Sequence, residues 1–78
     1  MLNNDNTITL RADGISLDRV VETVAEFGQA SFELVAWELY VSEAKLEPVW
    51  RRAVERGLIH EAGTCWESGE RLYEVSGR

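Results

Sequence analysis

The chain has 78 residues, a net charge of −6 and 45% hydrophobic residues, among them three Trp, two Tyr and two Phe. A chain of this size and composition folds as one domain, with little room for a deep substrate pocket beside its core. The single cysteine and single histidine, Cys65 and His60, cannot form an intramolecular disulfide or complete a tetrahedral zinc site. We therefore expect a binding module without cofactor or metal, and not an enzyme.

The N-terminal residues 1–6 are polar and carry neither a basic residue nor an apolar run, so we expect a disordered start and not a signal peptide. No stretch approaches the roughly 18 apolar residues of a membrane span. A free thiol suits a reducing compartment, which favours the cytoplasm. Residues 7–11 alternate and are rich in β-branched side chains, which predicts a short strand at the start of a single domain over residues 1–78.

A first helix is predicted after Ser16, which suits the N-cap, because Ile15 and Val20 then have the spacing of a hydrophobic staple. Gly28 ends this helix, since glycine adopts a left-handed conformation at little cost. The predicted outer face includes Thr23. The inner apolar stripe is predicted to consist of Leu17, Val20, Val21, Val24 and Phe27.

Two further helices follow, each preceded by a serine suited to the N-cap, Ser31 and Ser42. The first is expected over residues 32 to about 40, and the second ends at about residue 56. Proline inside a helix removes an amide and crowds the preceding turn, and Pro48 would stand in the second turn. We therefore expect the regular helix to begin near Glu47, with residues 43–46 as a looser lead-in.

The last third of the chain predicts a β-hairpin. Residues 58–62 and 71–75 alternate, and the loop between them contains Gly63 and residues 67–70. The expected order is strand, helix, helix, tight turn, helix, hairpin. The second and third helices are joined too closely to lie antiparallel, so we expect them to cross at a steep angle.

A set of small and apolar positions across the second and third helices carries a family resemblance: Val35-Ala36, Leu39, Val41-Ser42, Leu46, Val49-Trp50, Ala53-Val54 and Gly57-Leu58-Ile59. Over residues 16–76 the chain resembles the winged helix-turn-helix superfamily of transcription regulators. The resemblance implies an α+β winged helix, with a three-helix core and a C-terminal hairpin wing. Two departures stand out. Tyr40 occupies a turn position that is often glycine, which favours a variant turn. Many relatives continue into a dimerising helix at the place of Gly77-Arg78, and we do not expect that route to a dimer here.

The predicted third helix concentrates positive charge. Residues 42–56 contain four basic and three acidic residues, a net of +1 in a chain whose total is −6. The inner face is predicted to hold Leu46, Val49, Trp50, Ala53 and Val54. The outer face can then meet phosphates or guanine edges in a major groove, and the expected DNA-binding residues are Ser42, Lys45, Arg51 and Arg52. The alternative is a solvated face, because Glu47 and Arg51 have the spacing of a helical ion pair.

Two other features favour a protein partner. The predicted wing tip, residues 61–70, has three Glu and no Lys or Arg, and these carboxylates would repel a DNA backbone. The second helix is apolar on more than one face, and either residues 8–10 cover the excess or it forms a partner or homodimer surface: Leu34, Trp37 and Tyr40. In the wing, Trp66 either packs under the sheet or anchors a partner.

The remaining polar candidates suggest no chemistry. Cys65 is expected to be a small hydrophobic residue of the wing. We expect no redox role for it, because the nearby glutamates should raise the pKa of its thiol. His60 is expected to be a polar residue of an edge strand. We expect a small DNA-binding transcriptional regulator that contacts double-stranded DNA through its third helix. The alternative is a winged-helix module that binds proteins and not DNA.

Overall fold

The computed structural model describes residues 15–77. Three helices precede a hairpin, in the order α1 (Leu17–Phe27), α2 (Phe32–Leu39), α3 (Glu43–Glu55), β1 (Ile59–Thr64) and β2 (Arg71–Val75). This is the predicted α+β order, and β2 has the predicted bounds. The strand predicted over residues 7–11 and the disorder predicted for residues 1–6 lie outside the described residues.

A serine is the N-cap of each of the three helices. In each case the hydroxyl oxygen accepts a hydrogen bond of 3.0–3.2 Å from the backbone amide three residues further on, in the pairs Ser16–Arg19, Ser31–Leu34 and Ser42–Lys45. These bonds satisfy amides that have no partner inside the helix. The three N-caps predicted from the sequence are confirmed.

The prediction that α3 begins near Glu47 is wrong, because the helix starts directly after the Ser42 cap and holds Pro48 in its interior. Proline leaves the carbonyl four residues earlier, that of Ala44, without its helical partner. Both Pro48 and Ala44 are exposed, so water can satisfy that carbonyl. Leu46, fully buried, fixes the first turns against the core despite the interruption.

The core lies where the inner faces of the three helices meet the hairpin. Its buried hydrophobic residues are Val20, Val24, Ala30, Val35, Ala36, Leu46, Trp50, Ala53 and Ile59. Trp50 of α3 has the largest side chain of this set and remains 7% exposed. Its ring makes T-shaped contacts with Phe32 of α2, at 5.5 Å between centroids, and with Tyr73 of β2, at 5.1 Å. One side chain therefore joins three elements.

Three predicted positions differ from the structure. Thr23 was expected on the outer face of α1 but is 3% exposed, because its hydroxyl donates a 2.8 Å hydrogen bond to the Arg19 carbonyl and needs no water. Phe27 and Val54 were expected to face inward but are 42% and 39% exposed. Both lie in the last turn of their helices, at the margin of a small core.

The hairpin of β1, β2 and the turn between them is the wing. Its strands pair antiparallel from Ile59 with Val75 outward, and the register shifts between Glu61 and Gly63. The loop between α1 and α2 joins this sheet at one residue, since Ala30 and Tyr73 exchange two backbone hydrogen bonds of 2.9 and 2.8 Å. A one-residue bridge has no sequence periodicity, so the sequence did not predict it.

Replacing Trp50 with Ala tests the role of this ring. We expect the free energy of unfolding to fall by about 3–5 kcal/mol, because a large buried aromatic and both of its ring contacts are lost. Urea denaturation followed by circular dichroism measures the change. The control is Trp37→Ala, which removes the same side chain from the surface and should change stability by no more than about 0.5 kcal/mol. Equal losses in the two variants would contradict this account of the core.

Candidate functional site

The outer surface of α3 carries the residues predicted to bind DNA. One of them, Arg51, forms an ion pair within the helix. The Arg51 guanidinium bonds to the Glu47 carboxylate one turn earlier, with side-chain exposures of 61% and 58%. A solvated i,i+4 pair stabilises a helix by only about 0.2–0.5 kcal/mol. The pair also bears on a ligand, because the carboxylate stands beside the cation that a phosphate would approach.

Three other cations share one edge of α3. Lys45, Arg52 and Arg56 are seven and four residues apart, and at 100° per residue they fall on the same side of the helix. All three are exposed, and none makes an ion pair with another residue between 15 and 77. We call this set the basic edge. Arg56 was not among the predicted contacts, although its spacing from Arg52 would have shown it.

Ser42 has a structural role at this surface. Its hydroxyl oxygen accepts the Lys45 amide at 3.2 Å, and its carbonyl accepts the amides of Lys45 and Leu46. The side chain therefore orients the first turn of α3 and with it the base of the Lys45 side chain. Its predicted contact with DNA stays a prediction.

The wing is acidic. From Ile59 to Val75 the sequence holds four Glu and one Arg. The carboxylates of Glu61 and Glu67 lie on exposed residues, as does the single cation, Arg71. Trp66, at the turn, is 89% exposed, so it does not pack under the sheet. The wing thus presents negative charge and one aromatic ring to the solvent.

The pKa of the Cys65 thiol is lowered, whereas the sequence predicted that it would be raised. Hydrogen bonds from the Ser68 hydroxyl and from the backbone amides of Ser68 and Glu67 lower its pKa, and they outweigh the repulsion from the Glu67 carboxylate. The tight wing turn, in which the Gly69 amide donates to the Cys65 carbonyl at 2.7 Å, brings these donors to the sulfur. The sequence predicted a raised pKa because it shows the neighbouring carboxylates but not the hydrogen bonds to the sulfur.

A small polar network closes the open end of the wing. His60 of β1 has its Nδ1 2.7 Å from the Ser76 hydroxyl and its Nε2 3.0 Å from the Glu74 carboxylate. Gln29, in the α1–α2 loop, donates to the same carboxylate at 3.5 Å. The network joins both strands to the loop that carries Ala30, and so reinforces the bridge between them.

The outer side of α2 presents apolar residues to solvent. Val35 and Ala36 fill the core, whereas Leu34 is 36% exposed, Trp37 74% and Tyr40 93%. We call these last three residues the aromatic patch. The patch was predicted as one of two alternatives, and the residues 8–10 that would cover it in the other alternative lie outside the described part of the chain.

Tyr40 adopts a backbone conformation that favours glycine. Its φ and ψ are 59° and 43°, and it is the one non-glycine residue with positive φ between residues 15 and 77. Two hydrogen bonds define a Schellman motif here, from Val41 to the Ala36 carbonyl and from Tyr40 to the Trp37 carbonyl. The turn is therefore the ordinary left-handed one, and the expectation of a variant turn is wrong.

The end of α3 uses the same motif with glycine. There Leu58 donates to the Ala53 carbonyl at 2.9 Å and Gly57 to the Val54 carbonyl at 3.0 Å, with Gly57 at φ 72°. A non-glycine residue in this conformation costs about 1–2 kcal/mol. Tyr40 bears that cost while its ring makes almost no contact with the rest of the domain.

Two concave regions lie on the surface of residues 15–77. One, of 340 Å³, is lined by Ala25, Gly28, Glu74 and Val75, and another, of 280 Å³, by Phe32, Glu43, Ala44 and Glu47. Among residues 15–77, no group of three His, Cys, Asp or Glu side chains is placed to hold a metal ion. No helix in that range is long and apolar enough to cross a membrane.

The chain is similar to the crystal structure of ScpB from Mycobacterium tuberculosis, with a TM-score of 0.71 and 24% sequence identity. The match covers 91% of this chain and 40% of that one, so the chain spans about two fifths of the ScpB chain. No family model and no curated protein matches the sequence. At this identity the likeness establishes the fold, and the chain has a winged-helix fold.

Replacing Tyr40 with Gly should stabilise the domain. We expect the free energy of unfolding to rise by about 0.5–1 kcal/mol, since the relief of left-handed strain exceeds the entropy cost of glycine. Denaturant titration measures the change. Gly57→Ala is the converse control: no atom lies within 4 Å of the added Cβ, so strain alone should destabilise this variant. A Tyr40→Gly variant less stable than the natural chain would show that the ring contributes to folding.

Proposed function

We propose that this winged-helix domain is a protein-interaction module and that the aromatic patch is its contact surface. One observation carries the proposal: Tyr40 is held in a strained conformation that glycine would adopt at lower cost, yet its side chain is 93% exposed. Strained residues persist only where the surrounding structure holds them in place, and they cluster at functional sites. The fold gains nothing visible from the ring, so a partner is the better reason for its presence.

Trp37 supports this interpretation. It lies three residues before Tyr40 and exposes 74% of its surface, although tryptophan usually buries most of its area. Trp and Tyr are the side chains most enriched at the energetic centres of protein interfaces, because they bring a large rigid area and a polar group together. Leu34, one turn before Trp37, adds an aliphatic contact on the same side of α2.

Charge also favours a protein partner over DNA. The wing holds four carboxylates and one cation, and the chain carries a net charge of −6. DNA affinity depends on cations placed against phosphates, and carboxylates near the backbone reduce it. On α3 the Arg51 cation stands in an ion pair with Glu47. Contact through the apolar side chains of the aromatic patch does not depend on cations placed against phosphates.

Selection from a displayed library of random peptides tests the proposal. We expect the full chain to enrich peptides whose affinity falls at least tenfold in Trp37→Ala, since the loss of a central interface Trp costs about 2 kcal/mol or more. Fluorescence anisotropy of the labelled peptides gives the dissociation constants. Trp37→Ala should unfold at the same denaturant concentration as the natural chain, so that lost binding is not lost folding.

Trp66→Ala is the matched control, because it removes the same side chain from another exposed site, at the wing turn. Peptides selected on the natural chain should bind this variant unchanged. Dependence on Trp66 and not on Trp37 would assign the contact to the wing. Peptides indifferent to both tryptophans, or no enrichment over a blank surface, would refute an interaction module centred on α2.

The basic edge supports a second candidate, a transcriptional regulator that binds double-stranded DNA through α3. Lys45, Arg52 and Arg56 form a row of exposed cations along one side of the helix that reads the major groove in many winged helices. Ser42 and Arg51 would flank that row. Binding would rest on few phosphate contacts, and the acidic wing would stand away from the DNA.

Amide chemical shifts recorded as duplex DNA is added at low salt test this candidate. It predicts shifts clustered on residues 43–56, and a salt dependence that corresponds to about two to three phosphate contacts. Arg52→Gln should weaken the binding. Arg71→Gln removes the same charge from the wing and should leave the binding unchanged. Shifts spread evenly over the surface, or equal effects of the two variants, would dismiss DNA binding by α3.

A further inference from the structure

We propose that the segment bound at the aromatic patch is an apolar peptide stretch that bears arginine. This inference rests on the proposed function, because it names the chemistry of the partner at the same surface. It comes from two carboxylates, Glu33 and Glu38, that lie on α2 beside the patch and are both exposed. Neither makes an ion pair with any residue from 15 to 77.

The spacing on α2 places a carboxylate next to each apolar residue of the helix surface. Glu33 precedes Trp37 by four residues, and Glu38 follows Leu34 by four, so each pair stands on adjacent turns of one face. Leu34 and Trp37 are themselves neighbours three residues apart. Around the helix the order is therefore Glu33, Trp37, Leu34, Glu38, an apolar strip with a carboxylate on either side.

This arrangement selects against negative ligands. Phosphate groups of nucleic acids or of lipid headgroups, and acidic peptides, would meet two carboxylates at the edges of the strip and the net negative field of the chain. A cationic segment meets favourable charge at both edges. Electrostatic complementarity of this kind sets which partner approaches and in which register.

Arginine suits the surface better than lysine. Its planar guanidinium forms two parallel hydrogen bonds to a carboxylate and also stacks on the face of an aromatic ring. Both groups stand on adjacent turns of α2, the carboxylate of Glu33 at the border of the patch and the indole of Trp37 within it. Apolar residues of the partner would cover Leu34 and the ring of Tyr40.

A second copy of this chain is a poorer occupant. Three of its eight cations line the basic edge of α3, and the apolar residue beside them, Val49, is itself half-buried in its own domain. A contact between α2 of one copy and α3 of the next pairs two different surfaces, so a closed dimer would need both pairs to meet at once about a two-fold axis. A separate arginine-bearing segment provides charge and apolar area together.

The inference is tested by the sequences of selected peptides that bind the full natural chain but no longer bind Trp37→Ala. We expect arginine next to aliphatic or aromatic residues in the enriched peptides. Their affinity should fall about tenfold in the double variant Glu33→Gln/Glu38→Gln, because two exposed charge pairs are removed. Replacing arginine with lysine in one selected peptide should weaken binding by about threefold or more, since the stacked and bidentate contacts are lost.

The control is Glu22→Gln/Glu26→Gln, which changes the net charge by the same amount at two exposed positions of α1. This variant should retain at least half of the affinity. Equal losses in the two double variants would show attraction by net charge alone, and would overturn the inference. Thermal unfolding of both variants confirms that each is folded.

Three further outcomes would also overturn it. Enriched peptides that depend on Trp37 but carry no cation would support the interaction module and contradict the proposal that its partner bears arginine. Self-association of the natural chain that is lost in Trp37→Ala would make a second copy the occupant. Nuclear Overhauser contacts from the Trp37 or Tyr40 rings to residues 1–14 in the full chain would make the N-terminal segment the occupant. If no peptide depends on Trp37, the proposed function itself fails.

Discussion

The packing of Trp50 links three of the five elements of the domain. Its ring extends from α3 to Phe32 at the start of α2 and to Tyr73 in β2, so one side chain holds both helices and the wing together. Edge-to-face contacts of this kind specify orientation as well as distance. Tyr73 extends the constraint, because its backbone also pairs with Ala30 in the α1–α2 loop. In a domain of 78 residues few alternative contacts could replace this one.

This constraint also separates the two candidate surfaces. The inner face of α3 is committed to Trp50 and its neighbours, which leaves the basic edge to solvent on one side of the helix. The core side of α2 is committed through Val35 and Ala36, which leaves the aromatic patch on its outer side. Both surfaces therefore stand on helices whose inner faces are packed in the core, a favourable basis for specific recognition. They differ in chemistry, since one is cationic and the other apolar with carboxylate borders.

Much of the fold could be predicted from the sequence because its signals are local. The serine caps and the bounds of β2 each depend on a few neighbouring residues, and the structure confirms them. The predicted start of α3 was wrong because it rested on the low helix propensity of Pro48. Propensity does not take into account the burial of Leu46, which holds the first turns in place. The candidate surfaces were less predictable. Periodicity could propose Trp37 and Tyr40 as excess apolar residues, but only coordinates reveal their exposure and the left-handed strain at Tyr40.

The pairing of Ala30 with Tyr73 bears on how such a small β-ribbon avoids aggregation. An unpaired strand edge is a template on which other chains can add, and short ribbons expose a large share of their backbone in this way. The α1–α2 loop occupies the middle of the β2 edge, and the irregular register at Glu61 and Gly63 disrupts the flat geometry of β1. Strand addition is therefore disfavoured on β2 and hindered on β1. Association through helical side chains can then proceed without competition from the backbone of the wing.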